Sequence, residues 1–175
     1  MNQKYIITGG PGTGKTSVIN ELKERGFNCI SENSREIISK QIISGGNILP
    51  WKNQIAFENK ITQLRTQQYL ASPKGSISFF DRSVLDSIAY LKLNNLEVPK
   101  AIIKNLNKCH YNKTVFYTPF WKEIYANDNE RLESLEKAIN IEKSIIDTYK
   151  EKKYKLVKVP RISVKERVNF ILSQI

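Results

Sequence analysis

The sequence is poor in the residues that form disulfides and metal sites. Its 175 residues include two cysteines and one histidine. Cys29 and Cys109 form no CxxC pair, so neither a disulfide framework nor a structural zinc site is indicated. No apolar run approaches the roughly 20 residues that cross a bilayer, and the start of the chain lacks the cleavage site of a signal peptide. These absences favour a cytoplasmic protein with reduced thiols and no membrane partner.

Acidic side chains are outnumbered by basic ones, 17 to 28, which gives a formal net charge of +11. A basic protein attracts nucleic acid, membranes or polyphosphate substrates. The aromatic stacking motifs of RNA-binding modules are missing, and a lysine-rich solvated surface accounts for the charge without any ligand. A nucleic-acid partner therefore stays open but is not favoured.

One complete phosphate-binding motif, G-x-x-x-x-G-K-[ST], runs from Gly9 to Thr16. Its glycines allow the tight backbone turn that points successive N–H groups at an anion, and the loop opens onto a helix N-terminus. In such a loop Lys15 reaches the β- and γ-phosphates and Thr16 holds Mg²⁺. A glycine-rich turn without ligand is the alternative. The predicted nucleotide-binding residues here are Gly9, Gly10, Pro11, Gly12, Thr13, Gly14, Lys15, Thr16 and Ser17.

Short β-rich runs alternate with amphipathic segments along the whole chain. This alternation predicts an α/β fold, a P-loop NTPase three-layer sandwich. Its five-stranded parallel sheet has helices on both faces, in one domain over residues 1–175, with a small helical lid at about 119–131. The predicted strands are 4–8, 27–31, 77–80, 114–117 and 156–159. The apolar face of a long helix after residue 127 is predicted to be Leu132, Leu135, Ala138, Ile139, Ile145, Ile146 and Tyr149.

Polar side chains follow the second and third predicted strands, at the sheet edge where such folds bind ligands. Asp81 stands where a Walker-B-type carboxylate contacts Mg²⁺, although a helix N-cap is the alternative. Glu32 is placed to accept the proton of a substrate hydroxyl, or else it faces a helix dipole. Arg35, one turn later, is a candidate to grip a phosphate or to pair with Glu32, and a surface role is equally open.

Further candidates lie in loops. Lys122 and Arg131 flank the predicted lid, and Arg131 is the better candidate to stabilise the transferring phosphoryl group. A solvated lysine and an i,i+4 helix pair are the alternatives. Trp51 and Trp121 stand in loop-like places where a base could stack, but packing is the commoner use of a tryptophan. Arg161 follows the last strand, where these folds often hold adenine, and a simple connection is the alternative.

The base specificity is predicted from a missing motif. A GTPase usually carries N-K-x-D after a strand, and the two nearest strings, N-K-C-H at 107–110 and N-K-T-V at 112–115, lack the aspartate. ATP with Mg²⁺ is therefore the predicted cofactor pair.

The chain resembles the small P-loop proteins described as predicted AAA-type ATPases, which group with nicotinamide riboside kinases and deoxynucleoside kinases. The resemblance to the deoxynucleoside kinase D-R-S motif implies that Arg82 lies near the transferred phosphate, and Glu32 falls where those kinases keep their catalytic carboxylate. Their E-x-x-x-W form is absent, because position 36 is glutamate. The resemblance rests on residues 9–16, 32–38, 49–51, 79–83 with Asp86 and 89–91, and 119–121 with Ile124, Tyr125, Glu130 and Arg131.

These observations favour a phosphotransferase that moves the γ-phosphoryl of Mg-ATP to a small acceptor such as a nucleoside or nucleotide. Lys15 and Arg131 would offset developing charge, and Thr16 and Asp81 would place Mg²⁺. The predicted substrate-binding residues are Glu32, Arg35 and Arg82, of which Arg82 orients the acceptor and Glu32 takes its proton.

Two other functional classes stay open. A regulatory ATPase acting on a macromolecule fits the +11 charge and the incomplete kinase pattern. A nucleic-acid-binding module with a structural nucleotide is the weaker alternative, and its binding should fall steeply with salt. The sequence leaves the oligomeric state undetermined.

Overall fold

The structure, a computed structural model, describes residues 3–124 and 135–175. Within these ranges strands and helices alternate along the chain, and a 3₁₀ turn spans Lys122–Ile124. The strands are β1 Lys4–Thr8, β2 Asn28–Ile30, β3 Ser78–Asp81, β4 Thr114–Tyr117 and β5 Lys155–Lys158. The helices are α1 Lys15–Glu24, α2 Ser34–Ile43, α3 Gln54–Ala71, α4 Val84–Leu93, α5 Lys100–Leu106, α6 Leu135–Glu151 and α7 Val164–Leu172.

The five strands form one parallel sheet in the order β2-β3-β1-β4-β5. β1 is therefore central, with β3 on one side and β4 on the other. Ile7 lies beside Asp81 of β3 and beside Phe116 of β4. The carboxyl ends of β1, β3 and β4 consequently meet at one edge, and the segment after β1 is the phosphate-binding motif.

Each face of the sheet buries its own core, which gives the predicted three layers. Ile6 and Ile7 are adjacent and fully buried, yet they belong to different apolar clusters. The reason is that successive side chains of a strand point to opposite faces. Ile7 packs with Val18 of α1 and Val168 of α7, whereas Ile6 packs against helices of the opposite layer. That layer contributes Leu85, Ile88, Ile102, Ile141 and Ile145, among others.

Local capping signals begin three of the helices. The Ser83 hydroxyl caps α4 and the Asp86 carboxylate returns to the Ser83 backbone N–H, which completes a capping box. Ser163 and Glu166 form the same arrangement at α7, and Asn53 accepts from the backbone N–H of Ala56 at α3. Each such cap satisfies helix N–H groups that would otherwise lack partners. Both boxes have the S-x-x-D or S-x-x-E spacing that is typical of this motif.

The buried face of α6 differs from the sequence prediction. Leu135 and Ile139 are 45% and 50% exposed, whereas Ile141 is buried. Helix α6 packs against α4, and this contact buries fewer residues than the apolar residues of the helix would allow. The buried residues are Ala138, Ile141, Ile145, Thr148 and Tyr149. The predicted start of this helix near residue 127 lies outside the described residues.

Only part of the predicted lid can be compared with the structure. Residues 119–121 have no regular secondary structure and lead into the Lys122–Ile124 turn, and residues 125–131 lie outside the described ranges. Across residues 3–124 and 135–175, no helix combines the length and apolarity needed to span a bilayer.

Candidate functional site

The carboxyl edge of the sheet opens into a cavity of about 760 Å³. The phosphate-binding loop lies along its centre, and the ends of β2 and β3 supply Glu32, Asp81 and Arg82. Arg35 of α2 lines the same space. Side chains from separate strands therefore converge on one cavity, as expected for a parallel sheet.

Close packing explains the glycines of the loop. Gly9 has φ +145°, and a Cβ there would lie 2.4 Å from the carbonyl oxygen of Thr118. Gly14 has φ +78°, and its Cβ would lie 2.7 Å from the guanidinium of Arg167. Both positions thus exclude side chains through backbone conformation and through lack of space.

Lys15 is folded onto the loop that precedes it. Its Nζ donates to the Gly10 carbonyl at 2.6 Å and contacts Thr13 Oγ1 at 3.4 Å. Burial, and then the charge of Arg82, lower the pKa of Lys15 to about 7. A phosphate in the loop would favour the charged ammonium, because a nearby opposite charge stabilises it. The loop is therefore electrostatically suited to a polyphosphate.

Asp81 ends β3 within the cavity and is nearly fully buried. Its Oδ1 has no hydrogen-bond partner among the described residues. Burial, reinforced by Glu32, raises the pKa of Asp81 to about 6. The cap of the following helix is Ser83, so Asp81 is not the N-cap. An orphaned carboxylate oxygen in the cavity that the exposed Thr16 also lines fits Mg²⁺, which binds oxygen ligands.

Glu32 lies at the end of β2 between two arginines. Its carboxylate accepts from Arg82 Nε at 3.1 Å, from Arg65 at 3.1 Å and from the Ser34 hydroxyl at 2.7 Å. Burial alone would raise the pKa of Glu32, but Arg82, Arg65, the Ser34 hydrogen bond and Lys15 together lower it to about 2. Glu32 is therefore an anion at neutral pH.

Arg82 is fixed by a second carboxylate. It has φ +72°, a rare conformation for a residue other than glycine, and its guanidinium donates to Asp86 Oδ1 at 3.1 Å. Asp86 is fully buried and also accepts from the hydroxyls of Thr8 and Tyr149 and from the backbone N–H of Ser83. Through Asp86, hydrogen bonds from β1, α4 and α6 therefore help to hold Arg82 in place.

One half of the cavity extends from Glu32 towards α2, α3 and α4, and we call it the acceptor half. Trp51, 58% exposed, lies at its rim rather than in the core. Gln54 donates to the Tyr90 carbonyl and accepts from Asn94, and Glu58 is buried in the cavity wall. The apolar lining is Ile38, Ile42, Pro50, Trp51, Phe57, Tyr90 and Leu93.

The other half extends from the loop towards Trp121 and the start of α7, and we call it the nucleotide half. The guanidinium of Arg167 lies 5.0 Å from the Trp121 ring centroid and donates to the Thr13 carbonyl at 3.3 Å. Residues 162–164 line this half. Arg161 is not among the residues that line this half, and its guanidinium donates to the Phe120 carbonyl at 2.5 Å.

A family comparison agrees with this geometry. The family model described as AAA domain matches residues 4–167, which include the whole sheet and the phosphate-binding loop. The chain belongs to the AAA domain family. No curated protein matches the chain by sequence.

Solved structures share the fold of this AAA domain protein. Deoxyadenosine kinase from M. mycoides, with dCMP and dCDP bound, is 18% identical with a TM-score of 0.70, covering 98% of this chain and 97% of that one. Thymidylate kinase from Ehrlichia chaffeensis is 12% identical with a TM-score of 0.67 over 98% and 97%. NadR protein in complex with NR reaches 0.75 at 14% identity, and there the match covers 98% of this chain and 50% of that one.

The structure assembles most of the predicted site. Residues 11–17, Glu32, Arg35, Asp81 and Arg82 line the cavity, whereas Gly9 and Gly10 shape the loop from behind. Arg131 lies outside the described residues, so its predicted role stays a prediction. Sequence reasoning missed Arg65, Glu58, Tyr149 and Arg167, which belong to no motif. For Asp86 the S-x-x-D spacing revealed the cap but not the ion pair with Arg82.

Proposed function

We propose that the protein transfers the γ-phosphoryl group of Mg-ATP to a hydroxyl group of a small acceptor. The observation that carries the proposal is the position of the Glu32–Arg82 pair, which faces the same cavity as Lys15 and the phosphate-binding loop. Phosphoryl transfer depends mainly on positioning and charge stabilisation, and this cavity supplies both at the junction of its two halves.

ATP occupies the nucleotide half in this proposal. The loop N–H groups and Lys15 hold its phosphates, and the base lies near Trp121, whose ring is steadied by Arg167. Thr16 and Asp81 are the residues that would hold Mg²⁺. When bound, Mg²⁺ neutralises charge on the β- and γ-phosphates.

The acceptor hydroxyl is placed by Glu32. The oxygen of the acceptor hydroxyl forms a bond to the γ-phosphorus. The bond from the γ-phosphorus to the β–γ bridging oxygen breaks, and ADP leaves. The hydroxyl proton passes to Glu32. A carboxylate with a pKa of about 2 suffices, because in a loose transition state the attacking oxygen loses its proton late. Arg82, held by Asp86, faces the charge on the transferring group.

The pairing of Arg82 and Arg65 favours a hydroxyl-bearing acceptor over a phosphorylated one. Arg82 is paired with Glu32 and Asp86, and Arg65 is paired with Glu32 and the oxygens of Ser83 and Ser87. An acceptor phosphate would also meet the anionic Glu32. A nucleoside-like acceptor, as in the name of the deoxyadenosine kinase neighbour, fits this pairing better than a nucleotide.

A regulatory ATPase acting on a macromolecule is the second candidate. It is favoured by exposed apolar side chains on this face: Ile42 and Trp51, 59% and 58% exposed, line the cavity, and the adjoining Ile43 of α2 is 83% exposed. In this case ATP turnover is slow, a macromolecular partner accelerates it, and small acceptors do not.

The deciding experiment measures ADP release from Mg-ATP with the wild type, with Lys15→Ala and with the exposed-lysine control Lys60→Ala. Each is assayed alone, with nucleosides, nucleotides and nicotinamide riboside, and with RNA in a separate arm. The proposal expects one class of small acceptor to stimulate the wild type and the control but not Lys15→Ala. Stimulation that survives Lys15→Ala, or turnover indifferent to every small acceptor, would overturn it.

A further inference from the structure

A buried carboxyl group lies in the acceptor half and has no role in the transfer just described. Glu58 is on α3, its exposed fraction is 4%, and it lines the cavity. No Lys or Arg nitrogen of the described residues lies within ion-pairing distance of it. A buried carboxyl without a paired cation is costly, so its presence at a cavity wall calls for a ligand or a structural reason.

The neighbours of Glu58 do not use its full capacity to accept hydrogen bonds. Arg65, two turns later on α3, directs its N–H groups to Ser83, Ser87 and Glu32. The Ser87 hydroxyl from α4 is the polar side chain that most lowers the pKa of Glu58. A carboxyl group has room for more partners than one hydroxyl, and the remaining space beside it is the cavity.

We propose that Glu58 is a specificity-determining residue that selects acceptors carrying an amino group over acceptors with a carbonyl oxygen at the same position. This inference rests on the proposed phosphotransfer to a small acceptor, and it adds which acceptors react. An ionised carboxylate accepts hydrogen bonds and cannot donate one. It therefore stabilises a ligand amino group and repels a carbonyl oxygen.

The protonation of Glu58 makes the inference testable by pH. Burial raises the pKa of Glu58 to about 7, with smaller opposing contributions from Ser87 and Arg65. The charged groups facing it are Arg65, Glu32 and Arg82. Arg82 stays charged, because its pKa is well above the usual value, and Glu32 has a pKa of about 2.

Discrimination should therefore rise with pH. Below pH 6 the neutral carboxyl can donate to a carbonyl oxygen or accept from an amino group, so both acceptors fit. Above pH 8 only the amino acceptor fits. Titration of Lys15 and Asp81 in the nucleotide half affects both acceptors alike and cancels in the ratio of their kcat/KM values.

The test compares matched acceptors, cytidine with uridine and adenosine with inosine, in ribose and deoxyribose forms. The ratio of kcat/KM, amino over carbonyl, is measured from pH 5.5 to 8.5. For the wild type the ratio is expected to increase by about tenfold or more, since hydrogen bonds to an ionised group are roughly twice as strong as those between neutral groups. In Glu58→Gln it should be flat, because the amide does not titrate. Glu97→Gln, an exposed acid, should behave as the wild type.

The outcomes separate this inference from the proposed function. One outcome is that nucleosides turn over while the amino-over-carbonyl ratio of the wild type stays flat with pH, and another is that Glu58→Gln leaves that ratio unchanged. Either result overturns the inference on Glu58 but leaves the proposed phosphotransferase function standing. If no acceptor turns over, equilibrium binding of the same pairs, followed by tryptophan fluorescence with Trp51 at the rim, tests the selectivity alone. Absence of amino-selective binding there overturns the inference as well. Melting temperatures of all variants show whether Glu58→Gln acts through stability.

Discussion

The guanidinium of Arg82 lies between two carboxylates, with Nε 3.1 Å from Glu32 and a terminal nitrogen 3.1 Å from Asp86. Glu32 faces the cavity and Asp86 is fully buried. The two acids therefore differ in what they do. Asp86 sets the direction of Arg82, and Glu32 remains available to an acceptor hydroxyl.

Replacing Asp86 by asparagine should reduce both stability and turnover. The substitution keeps an oxygen for the Ser83 N–H but leaves the buried Arg82 without one of its counterions, which costs about 3 kcal/mol. Glu36→Gln serves as the control, because its pair with Lys40 is exposed and such pairs contribute about 1 kcal/mol or less. Urea unfolding measures the loss of stability in each of the two variants. Equal small losses in the free energy of unfolding of the two variants would show that Asp86 does not stabilise Arg82.

Glu32→Gln should retain ATP binding and lose transfer. The amide still fills the space but cannot take the acceptor proton, so turnover is expected to fall about 100-fold or more. The dissociation constant for Mg-ATP, measured by calorimetry, should change little, because Glu32 lies on the acceptor side of Lys15. If Glu32→Gln kept the turnover of the wild type, another group would have to accept the proton of the acceptor hydroxyl.

The two glycine positions at Gly9 and Gly26 offer a matched comparison. Both have positive φ, but a Cβ at Gly26 meets nothing within 4 Å, whereas at Gly9 it meets the Thr118 carbonyl. Gly26→Ala is expected to cost about 1 kcal/mol from backbone strain alone. Gly9→Ala should cost more and should also weaken ATP binding, as seen by thermal unfolding with and without nucleotide. Similar losses in both variants would mean that the contact with Thr118 is unimportant.

The two tryptophans should report on different ligands. Trp121→Ala is expected to raise the KM for ATP by roughly tenfold, since stacking on a base is worth about 1–3 kcal/mol, and to leave the acceptor KM unchanged. Trp51→Ala should do the reverse. Steady-state kinetics with each substrate varied separates the two. If both variants change the same KM, the assignment of the two cavity halves is incorrect.

Glu58 should make the protein less stable as pH rises through neutrality. Its pKa is raised from 4.5 to about 7 on folding, so between these values the folded state binds more protons than the unfolded state. The contribution of Glu58 to stability is complete below pH 4.5 and is lost as pH rises through 7. Relative to the wild type, Glu58→Gln should gain up to about 3 kcal/mol between pH 5 and pH 8. A difference that does not change with pH would place the Glu58 pKa near its ordinary value.

Much of the fold could be predicted because its signals are local. The phosphate-binding loop needs eight consecutive residues, and the capping boxes at Ser83 and Ser163 need four. The strands are short runs of β-branched and aromatic residues, and their alternation with helices leaves a parallel sheet as the stable arrangement. That arrangement brought Glu32, Asp81 and Lys15 into one cavity, as the sequence predicted.

The sequence by itself determined the loop, the alternation of elements and the edge at which ligands bind, because each depends on residues close together in the chain. Tertiary structure decided which side chains partner one another: Glu32 meets Arg65 across 33 positions, and Thr13 meets Arg167 across 154. It also paired Arg161 with the Phe120 carbonyl and buried Glu58 in the cavity wall. Packing between helices fixes such pairs, and a pattern of residue types along one chain does not record that packing.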